Sequence, residues 1–209
     1  MNKNLKTMKN KNYFTLKEIN PIIKFLTLSD IMIISGWGLV SPIFAVFITN
    51  NIKNGNLEVV GIASTIYLLS KSLGQIPIAK LMDKIKGEKD DFRFLLFGSL
   101  CWSIVPLFYM IISQAWQLYI IQFFYGLTSA FAYPAWYAIF TRHIDKNKEG
   151  IEWGIYNTLT DLGGAISASL GGLLAYQFGF KYLFIIVSII SLFGSLFLLF
   201  IRKNFERIK

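Results

Sequence analysis

The sequence predicts an all-α integral membrane protein with six transmembrane helices, and three observations carry that expectation. Of its 209 residues, 54% are hydrophobic and only 16% are charged, where a soluble domain carries about 25% charged residues. Six stretches have the roughly 20 apolar residues needed to cross a hydrocarbon core about 30 Å thick. The charges are gathered between those stretches. In lipid the backbone satisfies its polar groups only as helices or closed barrels, and runs this long are not strands.

In chain order, residues 1–24 form a basic leader, rich in Asn and Lys, expected on the cytoplasmic side. Tyr13 to Phe25 has the pattern of a short interfacial helix, limited by Pro21, or equally of a flexible arm. The transmembrane domain covers 25–203, with spans at about 25–49, 59–82, 94–113, 116–141, 151–176 and 182–201. Residues 204–209 are a cytoplasmic tail. The first span is too long for a signal-peptide core, contains Asp30 and lacks a small-residue cleavage site, so it reads as a retained helix.

The net charge of +9 could suggest nucleic acid, but its distribution excludes that partner. Eighteen of the 21 Lys and Arg fall before the first span, between spans two and three, between four and five, and after six. Only Lys53 and Lys181 lie on the other side, and Lys71 lies within a helix. Cationic loops stay cytoplasmic, which puts both termini inside. The expected setting is a cell membrane, crossed several times, with lipid as the immediate partner.

Catalytic and cofactor chemistry find no support. His143 is the only histidine, and its neighbours Arg142 and Asp145 suggest a solvated turn. Cys101 is alone within the third span, which excludes an intramolecular disulfide or cysteine cluster and favours a small packing residue. There is no phosphate loop and no nucleophile elbow. No enzyme, cofactor or metal is expected.

A weak internal similarity runs at an offset of 92 residues. It relates Pro42 to Pro134, Gly87 to Gly179 and Asp30 to Gln122, and lays Ala79-Lys80-Leu81-Met82 over Gly171-Gly172-Leu173-Leu174. A three-helix unit repeated after an odd number of spans is inverted in the membrane, a recurrent transporter plan. Span five is rich in small residues, with Gly164, Ala168 and Gly172 at spacing four beside Gly171. That pattern lets two helix backbones approach closely, either to slide or as static packing.

Several of these residues carry a family resemblance. The link after span two reads Ala79-Lys80-Leu81-Met82-Asp83-Lys84-Ile85-Lys86-Gly87, which resembles the cytoplasmic motif of major facilitator superfamily transporters, approximately Gly-x-Leu-Ala-Asp-Arg-x-Gly. Leu81, Asp83 and Lys84 keep its Leu, its Asp and a following base. Ala79 replaces the first Gly, and Gly87 is displaced by one. Gln122, Gly126 and Pro134 sit in the frame of the family's Arg, Gly and Pro on span four, without the Arg. Ser167 to Gly172 keeps the paired glycines late in span five, and Gly179–Phe184 resembles the lead into the sixth helix. The likeness runs from about Lys24 to Lys203 and corresponds to one six-helix half, N-terminal in type, of a fold that has twelve. It implies an inverted 3+3 repeat and transport of a small solute, passively or coupled to an ion or proton, as a homodimer or with another half. Two other readings stay open: an orphan half that binds a partner without transporting, and the substrate-capture subunit of a multi-component importer.

Three ionisable residues lie within spans, and each is costly enough there to need a cavity or a partner. Asp30 is near the cytoplasmic end, where interfacial capping and a proton or cation site are both open. Lys71 lies ~18 Å along its helix from Asp83, and Asp161 ~15 Å from Ile151, so the two have similar depth. Tyr67 and Gln75 flank Lys71, and Asn157 flanks Asp161. In the resembled fold helix two of one half packs on helix five of the other, so a two-fold dimer would pair Lys71 with Asp161 of a second copy. The same likeness makes spans one and four line the cavity. Trp37 and Ser41 share a face with Asp30, and Gln122, Tyr125, Ser129, Tyr133 and Trp136 form a polar-aromatic stripe, which suits a small organic solute.

Overall fold

Asn20 starts the first helix: its side chain accepts a hydrogen bond from the Ile22 amide at 3.0 Å, and Pro21 follows at the first helical position, where no amide donor is needed. The computed structural model describes residues 19–85 and 87–202. The leader before residue 19, Lys86 and the tail after residue 202 lie outside the described residues, so the expectations for them are neither met nor changed.

The described residues are mostly helical. They form α1 (Pro21–Gly38), α2 (Phe44–Asn51), α3 (Leu57–Lys84), α4 (Glu88–Tyr109), α5 (Ala115–His143) and α6 (Glu149–Phe197), with 3-10 turns at Ser41–Ile43, between α1 and α2, and at Leu198–Ile201, after α6. No strand occurs among the described residues; the only pairing of that type is an isolated bridge between Lys53 and Gln114. Four helical runs are long and apolar enough to cross a membrane: Pro21–Asn51, Leu57–Lys84, Glu88–Tyr109 and Glu149–Ile201. The 29-residue α5 is long enough but stands outside that set.

Boundaries follow local chemistry and differ in places from the sequence expectation. Residues 21–24, expected in the leader, form the first turn of α1. The first span is interrupted by the 3-10 turn at Ser41–Ile43, where Pro42 lacks an amide donor. The polar run Asp83–Arg93 does not form a long loop. Helix α3 runs to Lys84, Gly87 turns the chain with φ +126, and α4 begins at once with Glu88, Asp90 and Asp91 in its first turn. Acidic groups are favoured at that positive end of a helix. Spans five and six, expected to be separated by a loop, run on as one helical stretch that breaks at Gly179, φ +79 and ψ 167. Only glycine adopts such a conformation without strain.

Helix α1 lies against both limbs of α6. Ser35 and Gly38 face Gly163 and Ser167 before the break, and Gly36 and Ser29 face Ser191 and Gly194 after it. Helix α5 is the central strut, against α3 on one side and α4 on the other, while α4 also touches α6. Helix α3 is peripheral and leaves Leu68, Leu69, Leu73 and Ile76 exposed. The core has two parts. One gathers Leu26, Leu95, Trp136, Ile139, Phe140 and Ile201. The other gathers Val40, Phe47, Ile48, Tyr109, Leu183 and Phe184. A furrow with polar groups runs between them.

Candidate functional site

The furrow consists of three adjoining cavities. The first, about 350 Å³, is lined by Asp30 from α1, Trp102 from α4, Tyr133 and Trp136 from α5, and Tyr156 and Asp161 from α6. The second, about 450 Å³, shares Ile33, Ile34, Trp102 and Tyr133 with the first and adds Trp37, Pro42, Gly164 and Ala168. The third, about 350 Å³, shares Trp37, Ser41 and Tyr125 with the second and ends at Tyr67, Tyr109 and Gln122. Along α1 the furrow extends from Asp30 to Ser41, ~16 Å at the helical rise.

The two aspartates at one end differ. The Tyr156 hydroxyl donates to Asp30 Oδ2 at 2.8 Å, and Asp30 lines the first cavity. Asp161 is exposed on α6 and makes no hydrogen bond or ion pair among the described residues. Lys71 also lacks an ion pair there; its ammonium rests on the face of Tyr133, 3.8 Å from the ring centroid, with Tyr67 at 5.9 Å. A ring face attracts a cation through its quadrupole, most strongly away from water.

Aromatic walls fix the shape. Tyr125 stacks on Trp37 at 4.7 Å with the rings 7° apart, and on Tyr67 at 4.6 Å. Trp136 is 6% exposed and lies against Phe140 and Tyr156. Trp102 donates its indole N–H to Ser129 Oγ at 3.0 Å. Gln122 is buried, and its Oε1 and the indole nitrogens of Trp37 and Trp136 lack partners among the described residues. Gln75 is half-buried and lines none of the three cavities.

Two sequence-derived groups fall elsewhere. Leu81, Asp83 and Lys84 are exposed in the last turn of α3 and not in a link after it, and Gly87 caps α4. The ionic contacts come one turn later. Arg142 pairs with Asp91, which is 2% exposed, and approaches Glu88, and His143 Nε2 lies 3.5 Å from Glu88. His143 therefore belongs to a polar cluster joining the start of α4 to the end of α5, and its side chain is only 14% exposed. The small-residue contact is also shifted by one residue. Gly163, Ser167 and Gly171 press on α1, with no room for a side chain at Gly171 against the Leu39 carbonyl. Gly164 and Ala168 line the furrow, and Gly172 faces open space.

Tyr156, Trp153 and Trp102 were not anticipated. The signal for the first two was available, because Trp153, Tyr156, Asn157, Thr160 and Asp161 recur at helical spacing on one stripe of α6. Trp102 carried no such signal.

The arrangement is a concave surface with two carboxylates and several aromatic faces, with the Lys71 ammonium against one of those rings, suited to an organic solute with polar groups. Among the described residues no group of three His, Cys, Asp or Glu is placed to hold a metal.

Comparison with known proteins gives consistent results. The family model described as Major Facilitator Superfamily matches residues 26–208. An uncharacterized MFS-type transporter of Methanocaldococcus jannaschii, MJ1560, is 29% identical over 198 residues, covering 91% of this chain and 49% of the relative. A multi-drug resistance efflux pump PmrA homolog of Lactococcus lactis is 27% identical, covering 83% of this chain and 42% of the relative. The solved structure of the POT family transporter PepTSo superposes with a TM-score of 0.66 at 16% identity, covering 88% of this chain and 38% of that one. The chain thus spans about half the length of the curated relatives it matches.

Proposed function

The chain belongs to the Major Facilitator Superfamily, and from that premise we propose that it carries a small solute across the cell membrane as one six-spanning half of a secondary transporter. The crossings are α1 with α2, then α3, α4, α5 and the two limbs of α6. Both termini are cytoplasmic, in keeping with the side that holds most Lys and Arg. An inverted 3+3 repeat is supported by the pair Gly87 and Gly179, 92 residues apart and both at positive φ.

The observation that carries the reading is the furrow. It exposes Asp161 and the ring of Tyr133, on which Lys71 rests, along a surface lined by α1, α4, α5 and the first limb of α6. Alternating access rocks one half against another around such a site, so the face requires a second half. A second copy is the arrangement proposed, with Lys71 meeting Asp161 of the partner across a two-fold axis when the gate between the copies is closed and resting on Tyr133, as in the structure, when it is open. Asp30, Asp161 and Lys71 are the groups proposed to couple transport to a proton or cation gradient, if the carrier is not passive.

Reconstitution into liposomes tests the reading. Given the name of the Lactococcus relative, ethidium is a reasonable first probe. Flux above empty vesicles that falls at least tenfold in Asp30→Asn with Asp161→Asn supports it, and imposing a pH gradient separates coupled from passive movement. Flux no greater than in that double variant counts against transport. Native mass spectrometry from lipid reads the assembly. Lys71→Cys and Asp161→Cys, in a Cys101→Ser background, should cross-link only between subunits.

A further inference from the structure

The Lys71 ammonium has put itself in an unusual place. Two carboxylates line the first cavity and no Lys or Arg does, yet Lys71 pairs with neither among the described residues. It occupies the face of Tyr133 instead, at 3.8 Å from the centroid. Tyr133 is a wall of that same cavity and of its neighbour. Its ring is one of six along the first cavity, with Trp102, Trp136, Tyr137, Trp153 and Tyr156. An intramembrane cation settles where its compensation is greatest, so its position marks the aromatic rim as a cation receptor. The chain supplies its own ammonium there.

We propose that the furrow takes an organic cation, a protonated amine or quaternary ammonium, and that Lys71 is a tethered competitor for it. With the cavity empty, Lys71 covers Tyr133. An incoming ammonium takes the ring face and the Asp161 carboxylate, and Lys71 swings off along its four-carbon stem. The aromatic walls favour an organic cation over a metal ion, whose hard charge calls for several oxygen ligands. Lys71 then sets affinity by occupying the site, which keeps a bound solute releasable. This deepens the transport reading and depends on it for the solute's fate, but not for its binding.

The test is equilibrium binding to the full chain in phosphatidylcholine nanodiscs, read by fluorescence of Trp102, Trp136 and Trp153. The probe is benzyltrimethylammonium, with neopentylbenzene as its uncharged isostere. The expected result is saturable binding of the cation alone. Lys71→Met and Lys71→Gln should each tighten it by roughly three- to thirty-fold, the range of a desolvated cation–π contact. Asp161→Asn should weaken it by a similar factor, and Tyr133→Leu should remove the gain from Lys71→Met. An unchanged unfolding midpoint establishes that each variant is folded. Affinity unchanged or weakened in both Lys71 variants overturns the proposal. So does equal binding of the two probes, or tighter binding of benzenesulfonate that Lys71→Met abolishes, which would make Lys71 an anion receptor. If the expected binding pattern holds but liposomes show no flux, the cation site stands and the transport reading falls.

Discussion

The first limb of α6 has two faces built from the same small residues, and they do opposite things. Gly163, Ser167 and Gly171 are pressed into α1, so closely that a side-chain carbon at Gly171 would lie 1.8 Å from the Leu39 carbonyl oxygen. One residue further round, Gly164 and Ala168 border the furrow, and a carbon at Gly172 would meet nothing within 4 Å. In a bilayer the hydrophobic effect does not bring helices together, so the close backbone contact itself holds α1 to α6. On the other face Gly164 still lies beside Gly38 of α1, while Gly172 is left open. Composition marks a helix as able to make close contacts, but only the rotation of the helix says where they are made.

Substitutions on the two faces should separate them sharply. Gly171→Ala has the largest expected effect. Its new carbon collides with backbone that cannot rotate away, so it should lower stability by about 3 kcal/mol or more, read as the unfolding midpoint in lipid. Gly163→Ala should cost less, about 1 kcal/mol, because its closest neighbour, at 2.5 Å, is the Ser35 hydroxyl, which can change rotamer. Gly172→Ala should be neutral or stabilising by up to about 1 kcal/mol, the helix preference of Ala over Gly. If Gly172→Ala destabilised the chain as much as Gly171→Ala, the distinction between the faces would collapse. If it left the fold intact but reduced the dimer seen by native mass spectrometry, the open face would be identified as the subunit contact.

Much of the molecule was legible along the chain. The helical class follows from the length of the apolar runs, because lipid leaves the backbone no other way to satisfy itself except a closed barrel. The turn positions were visible in Gly87 and Gly179, whose positive φ suits no other residue well. Asp30 and Asp161 were selected by the cost of charge within spans, and Tyr133 and Trp136 by a stripe on the span that the family resemblance sets along the cavity; all four line one cavity. The first span's break at Ser41–Ile43 was less clear, since Pro42 could equally have made a mild kink.

Three features depended on the fold. Arg142 and Asp91 are 51 positions apart and meet because α4 and α5 run antiparallel, bringing an acidic helix start beside a basic helix end. The Tyr156–Asp30 hydrogen bond joins residues 126 positions apart. Lys71 lies on an aromatic ring because α3 packs along α5 at the level of Tyr133, a contact no local pattern encodes. The sequence by itself determined what each segment must be, since helix formation and membrane insertion depend on residues close together in the chain. Tertiary structure alone decided which side chains meet, because helix rotation and register are set by fit between surfaces distant in sequence, down to the single residue that separates Gly171 from Gly172.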